Sequence, residues 1–289
     1  VRKMAAEHGV EISRLSGSGI SGRVTKQDLE QYLANRPTHA AAVESHGLLP
    51  TPWAGDTVEA MSKIRRLTSE HMTLARRTAA HVTSFFEIDL TRVARVRQAM
   101  RAEFESQSGQ KLTYLPFILQ AVGLQLKRHP VLNAAVAGTD VIYRKSINLG
   151  IAVALDPVGL IVPVVKHADE LSLTGLTRTV NDLAARARSK KLNPIEVQDA
   201  TFTVTNPGVF GSLTGTPIIP VGTTAILCLG AIEKRPKVLT GPDGEDTIAI
   251  RTCAYFSISF DHRVVDGADA DRFMADLKKS LETIPETGF

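Results

Sequence analysis

Hydrophobic and polar positions change period several times along the chain, and each change predicts an element. Ile248, Ile250, Thr252, Ala254, Phe256, Ile258 and Phe260 occupy alternate positions, which predicts one long strand. Ala270, Phe273, Met274, Leu277 and Leu281 then recur three and four apart, the apolar face of a closing helix. Leu173, Leu176, Val180, Leu183, Ala184 and Ala187 share that helical spacing. Pro116 to His129 is almost continuously apolar after Thr113, the pattern of a buried helix with a threonine cap. Ile147, Leu149, Ile151, Val153 and Leu155 alternate as a strand. Asp156-Pro157-Val158-Gly159 then reads as a turn and Leu160 to Val165 as the returning strand. Thr201 to Thr205 and Ala225 to Leu229 read as two more strands. Helices and strands in mixed order predict an α/β (α+β) domain on a sizeable mixed sheet.

The first 60 residues have a different grammar. Residues 1–35 predict a small all-α unit: a short helix over 1–8 ended by Gly9, a Gly/Ser loop, and a second helix. Thr25 caps that helix with Asp28 three residues on, and Leu29, Tyr32 and Leu33 share its face. So small a unit, with no disulfide or metal to staple it, suits docking better than catalysis. Residues 36–60 carry Pro37, Pro50, Pro52, Gly47 and Gly55 with no lasting period, which is linker composition. The second domain is placed at 61–289. Gly17-Ser18-Gly19-Ile20-Ser21-Gly22 matches G-x-G-x-x-G, but a dinucleotide site needs a strand before it and a βαβ unit around it. A tight loop between two small helices is the better reading.

Composition adds exclusions. A formal charge of +4 over 289 residues is spread over short basic clusters at 63–66, 76–77 and 186–191, which read as solvated helix faces. No nucleic acid partner is expected. No apolar run is long enough to span a bilayer, so no membrane partner is expected, and no signal peptide is visible. Two cysteines, Cys228 and Cys253, each lie in a strand-like apolar run. Buried small hydrophobes in a reducing compartment are expected, with no disulfide framework. No metal is expected.

Candidate chemistry gathers in Asp261-His262-Arg263-Val264-Val265-Asp266-Gly267, between the long strand and the closing helix. A strand-to-helix turn exposes polar side chains at a sheet edge. His262 and Asp266 are four apart. From these residues alone His262 is either a general base or a structural hydrogen bonder.

This turn, followed by Ala270-Asp271-Arg272-Phe273, resembles the DHRxxDG signature of the dihydrolipoamide acyltransferases, the E2 components of 2-oxo acid dehydrogenase complexes. The resemblance continues at His81-Val82-Thr83 with Asp89, at 148–153 and 159–164, at Phe202-Thr203-Val204-Thr205-Asn206 with Gly211, and at 216–219 and 225–227. Residues 1–35, with Gly22-Arg23-Val24, resemble the family's peripheral-subunit-binding domain.

The resemblance implies a chloramphenicol-acetyltransferase-like catalytic domain and transfer of an acyl group from S-acyl-dihydrolipoamide to coenzyme A. It implies His262 as the base that takes the coenzyme A thiol proton. Thr205 stands where some members carry Ser, as the oxyanion donor; β-propensity is the plain alternative for that residue. Asp266 corresponds to an ion-pairing aspartate that supports the site and carries no proton. Arg263 is given a supporting role with no partner assigned, and His81 a structural one. Arg2, Lys3 and Arg23 match basic positions that bind dihydrolipoamide dehydrogenase (E3) or the E1 decarboxylase; ordinary surface charge is the alternative. Trimers are implied, with His262 acting beside Thr205 of a neighbouring chain. A cubic or dodecahedral shell is left open by the polar character of 282–289. The lipoyl domain that carries lipoate is absent from these residues. The expected setting is bacterial cytoplasm or, in a eukaryote, the mitochondrial matrix. A non-catalytic scaffold that anchors E3, and a free-standing acetyltransferase, are the rival readings. The acyl group stays open: 205–212 resembles succinyl-transferring members and 253–271 acetyl-transferring ones.

Overall fold

The structure is a computed structural model and describes residues 1, 5, 17–19, 24–35, 50–155 and 159–285. The expected first helix over 1–8, the turn at 156–159 and the tail at 282–289 fall largely or partly outside these residues. The chain divides into two compact units, Val1–Ala60 and Met61–Phe289.

In the first unit, α1 (Lys26–Asn35) begins at the expected capping box. The Asp28 carboxylate accepts Thr25 N–H at 2.8 Å, and Asp28 N–H returns a bond to Thr25 Oγ1 at 3.3 Å. Ser18 of the glycine-rich loop also binds Asp28, through Oγ at 2.6 Å and N–H at 2.9 Å. The hydroxyl of Ser18 and the neighbouring backbone donors hold the Asp28 carboxyl far below the usual carboxylate range. The loop's donors thus serve an internal acid instead of a phosphate.

The second unit opens with α2 (Lys63–Thr78), in which Ala75 is buried. Then come β1 (His81–Asp89), α3 (Thr91–Ser108) and α4 (Leu115–Arg128). A small hairpin, β2 (Ala134–Ala137) and β3 (Asp140–Tyr143), precedes four short strands: β4 (Leu149–Ile151), β5 (Val153–Ala154), β6 (Leu160–Ile161) and β7 (Val164–Val165). α5 (Leu173–Arg188), β8 (Phe202–Thr205), β9 (Ala225–Leu229), β10 (Glu233–Thr240), β11 (Asp246–Asp261) and α6 (Gly267–Glu282) complete it.

The main sheet has the order β1-β11-β9-β8-β4-β7, with β10 on the outer half of β11. It is mixed: β8 runs parallel to β4 and β9, and the other pairs are antiparallel. Phe256, Ile258 and Phe260 of β11 join Phe202, Val204, Leu227 and Leu229 on one face. Phe273, Met274 and Leu277 of α6 and the buried faces of α4 and α5 cover them.

Three expectations need correction. The expected strand over 147–155 breaks at Ala152, whose N–H turns to Val204 O, so β5 pairs with β6 in a separate ribbon. Its expected return over 160–165 is likewise two short strands, separated by Val162 and Pro163. Thr113 does not cap α4; Tyr114 holds the cap position and makes no side-chain capping bond.

Between β8 and β9 the chain crosses over the end of β9, where two glycines meet. A Cβ on Gly208 would lie 2.3 Å from the Gly230 carbonyl, and one on Gly230 only 1.9 Å from Leu213 O. Neither obstacle is a flexible side-chain end, so the backbone itself would have to move. Gly230→Ala should destabilise the second unit by about 3 kcal/mol, the upper end for overpacking. Denaturant unfolding checks this; an unchanged midpoint would show that the crossing gives way without cost.

Candidate active site

β11 delivers Asp261 to its last position, and the chain turns directly into α6. Asp261 is 1% exposed. Its carboxylate accepts Arg263 Nε at 3.0 Å and Nη2 at 2.6 Å, Arg263 N–H at 3.1 Å and Ala80 N–H at 3.2 Å. Burial pushes this carboxyl upward, but the Arg263 fork and the two backbone donors outweigh it and hold it below the ordinary range. The Asp261 carbonyl takes the N–H groups of Val264 and Val265, and its own N–H goes to Thr224 O. This is the partner that Arg263 lacked in the sequence. No motif letter distinguishes Asp261 from an exposed acid; its clue is an acid ending an apolar strand two residues before an arginine.

His262 N–H donates to Ala80 O at 2.8 Å. The ring leans against Phe260, with centroids 5.6 Å apart at 48°. Nδ1 faces Asp266 Oδ1 at 3.9 Å, beyond hydrogen-bond range. Among the described residues, Nε2 has no hydrogen-bond partner, and the side chain is 44% exposed. Asp266 is 82% exposed and stands at the N-cap of α6, where the helix dipole favours a negative charge. Within one chain, the ion pair of this turn is therefore Asp261–Arg263; among the described residues, Asp266 meets no cation nearer than His262.

His81 behaves differently. It opens β1, paired with Asp261. Nδ1 lies 3.0 Å from Ala79 O, and Nε2 accepts Ile219 N–H at 2.9 Å. A neutral ring protonated on Nδ1 satisfies both bonds, so this imidazole is fully engaged in pinning the 206–224 segment.

Thr205 ends β8 and lines a cavity of 620 Å³ with Ile151, Val153, Leu160, Val209 and Phe210. Among the described residues, its hydroxyl has no hydrogen-bond partner. Through Cys228, Thr205 lies level with Ser257, five residues before His262 and two strands away. At ~3.3 Å per residue and ~4.8 Å per strand, that separates the two by roughly 19 Å. A single chain does not bring His262 and Thr205 together. Arg2, Lys3 and Arg23 lie outside the described residues.

Both cysteines are buried, and burial pushes both thiols up. Burial of this kind suits a structural thiol rather than a nucleophile. Among the described residues, no group of three or more His, Cys, Asp or Glu could hold a metal ion, and no helix is long and apolar enough to cross a membrane.

A buried acid that anchors the turn and a half-exposed imidazole with neither ring nitrogen hydrogen-bonded among the described residues accompany a match to known proteins along nearly the whole chain. Residues 54–288 match the family described as 2-oxoacid dehydrogenases acyltransferase (catalytic domain), and residues 1–30 match the e3 binding domain. The chain belongs to the 2-oxoacid dehydrogenase acyltransferase family. The dihydrolipoyllysine-residue acetyltransferase component of the pyruvate dehydrogenase complex of Corynebacterium glutamicum is 39% identical over 98% of this chain and 43% of its own length. The dihydrolipoyllysine-residue succinyltransferase component of the 2-oxoglutarate dehydrogenase complex of Haemophilus influenzae is 33% identical over 98% of this chain and 69% of its own. The chain thus spans less than half of the first relative. A crystal structure of a probable dihydrolipoamide acetyltransferase from Listeria monocytogenes superposes with a TM-score of 0.77 at 35% identity, covering 82% of this chain and 99% of that one. The Azotobacter vinelandii dihydrolipoamide acetyltransferase, studied for the catalytic roles of a serine, a histidine and an asparagine, gives 0.75 at 33% identity, covering 82% and 98%.

Asp261 makes the turn acid-sensitive. Its depressed carboxyl adds stability that is present above the unfolded value of about 3.9 and is lost as pH falls through the lower folded value. Acid titration followed by circular dichroism should show a shallower loss in Asp261→Asn than in the wild type. Parallel curves would mean that Asp261 titrates alike in both states.

Proposed function

We propose that residues 61–289 transfer an acyl group from S-acyl-dihydrolipoamide to coenzyme A as the core of a 2-oxo acid dehydrogenase complex. We propose further that residues 1–35, with Arg2, Lys3 and Arg23, dock dihydrolipoamide dehydrogenase or the E1 decarboxylase, and that 36–60 tethers the two parts. One observation carries the catalytic reading: the family match spans 54–288 while its DHRxxDG turn presents an imidazole with a free Nε2. The Azotobacter histidine and asparagine are four positions apart, as His262 and Asp266 are; Thr205, by the resemblance of its motif, offers a hydroxyl where some members carry Ser. The bacterial relatives favour a cytoplasmic setting.

When bound, lipoate in its dihydrolipoamide form supplies the acyl thioester, and coenzyme A supplies the accepting thiol. The apolar walls of the Thr205 cavity suit an alkyl thiol arm, and Arg188 on its lining suits an anionic group. A thiol of pKa ~8.5 is only a few per cent thiolate near neutrality. His262 Nε2 takes the thiol proton, a contribution of ~10²–10⁴-fold. Thr205 Oγ1 donates to the oxygen on which charge develops, worth ~3 kcal/mol. His262 then returns its proton to the departing dihydrolipoamide sulfur. Asp266, 3.9 Å from Nδ1, supports the site beside the ring and is given no part in carrying the proton.

Because roughly 19 Å separates His262 from Thr205 in one chain, the working site joins His262 of one copy to Thr205 of another. Exposed apolar side chains support self-association. Val238, Ile248 and Ile250 stand 64%, 79% and 75% exposed on the β10–β11 hairpin, and Phe210 stands 77% exposed beside Thr205.

Acyl transfer is assayed in reverse with acetyl-, succinyl- and isobutyryl-coenzyme A and dihydrolipoamide. One donor should turn over, and His262→Ala should lose about 100-fold or more. Inactivity with all three donors alongside binding to dihydrolipoamide dehydrogenase would replace the reading with a non-catalytic scaffold. Mixed oligomers of His262→Ala and Thr205→Ala, refolded together, should regain activity that neither variant has alone. No regain would place both residues of the site in one chain.

A further inference from the structure

We propose that Asp261, with Arg263, is the positioning residue that holds His262 in place for catalysis through the backbone. The inference deepens the acyltransferase reading and rests on it. The ring of His262 has little to hold it: a 3.9 Å approach to an exposed carboxylate and the face of Phe260. His81 has backbone bonds at both ring nitrogens, so the contrast is direct. Within one chain, the hydrogen bonds that constrain His262 are therefore those to its main chain.

The main chain is fixed on both sides. Ala80 gives its N–H to the Asp261 carboxylate and takes the N–H of His262 on its carbonyl, so one residue just before the neighbouring strand grips two consecutive residues of the turn. Asp261 N–H reaches across the opposite edge to Thr224 O, and Thr224 Oγ1 is itself tied to Val131 O at 2.9 Å. Arg263 closes the other side by binding the same carboxylate through its fork and its N–H. A guanidinium fork and a carboxylate meet in one plane, so this pair fixes direction as well as distance. With Ala80 and Arg263 both bound to the Asp261 carboxylate, and His262 N–H held by Ala80 O, His262 has little backbone freedom. Arg263 is 46% exposed, so the fork is not a requirement of core packing. An unshared carboxylate would be costly at so buried a position.

The test uses the full chain with Asp261→Asn and Arg263→Lys. Asparagine keeps the size and the acceptor for Ala80 but turns an amide toward the Arg263 fork. Lysine keeps the charge and loses the two-pronged geometry. In Asp261→Asn, kcat should fall about 100-fold, the scale of a small misplacement of a reacting group, while KM for coenzyme A stays within about threefold. Arg263→Lys should lose about tenfold in the same way. Hydrogen exchange at the amides of Ala80 and His262 should accelerate in both variants. A kcat within about threefold of wild type overturns the proposal, as does a rise in KM alone. A lost kcat with unchanged exchange also overturns it, because the pair would then act on substrate and not through the backbone. If Asp261→Asn does not fold, Arg263→Lys carries the test alone. If wild type itself shows no acyl transfer, the acyltransferase reading fails with this inference, and exchange then shows only whether the clamp exists as a structural device.

Discussion

The pairing of β1 with β11, unbroken from His81–Asp261 to Asp89–Cys253, constrains both the core and the candidate site. It puts the first residue of β1 beside the last of β11, so Ala80 can grip the DHR turn. It also fixes which residues of β11 face the helices. Shifting the register by one would turn Phe256, Ile258 and Phe260 away from α6 and bring Ser257 and Ser259 inward. The core and the candidate base are thus specified by the same hydrogen bonds.

Much of the second unit could be read from its periods. The strand ending at Asp261 carries a clean alternation, α5 and α6 a three-four spacing, and α4 and β9 continuous apolar runs. The DHR turn was legible as a motif, and the capping box of α1 as a spacing. Helix α3 escaped notice because its buried residues, Val93, Val96 and Phe104, are separated by many arginines and small residues. β1 escaped as a strand because its burial does not alternate. The hairpin escaped for a different reason. Ile248 and Ile250 continue the alternation of Phe256 and Ile258, yet they are exposed, because β9 stops opposite Phe256. Where a neighbouring strand ends is a tertiary fact, and no local pattern contains it.

The site shows the same division. His262, Asp266 and Thr205 were named from a resemblance, and their chemistry was visible in residue type alone. Asp261, the most buried acid of the turn, was not singled out, since a buried paired carboxylate and a surface one are spelled alike. The two histidines that flank the turn could not be told apart by letter either. Only the backbone groups around them separate His81, with both nitrogens hydrogen-bonded, from His262, whose two nitrogens have no hydrogen-bond partner among the described residues.

The wide spacing of His262 and Thr205 on one sheet has a physiological corollary. A sheet of paired strands does not breathe by tens of ångströms, so thermal motion within one copy cannot close such a gap. On the proposed reading, each chain carries two unlike halves of a working centre and completes neither by itself. Dilution would then leave the protein fully folded yet idle. Its output would track how crowded it is, independently of how stable it is.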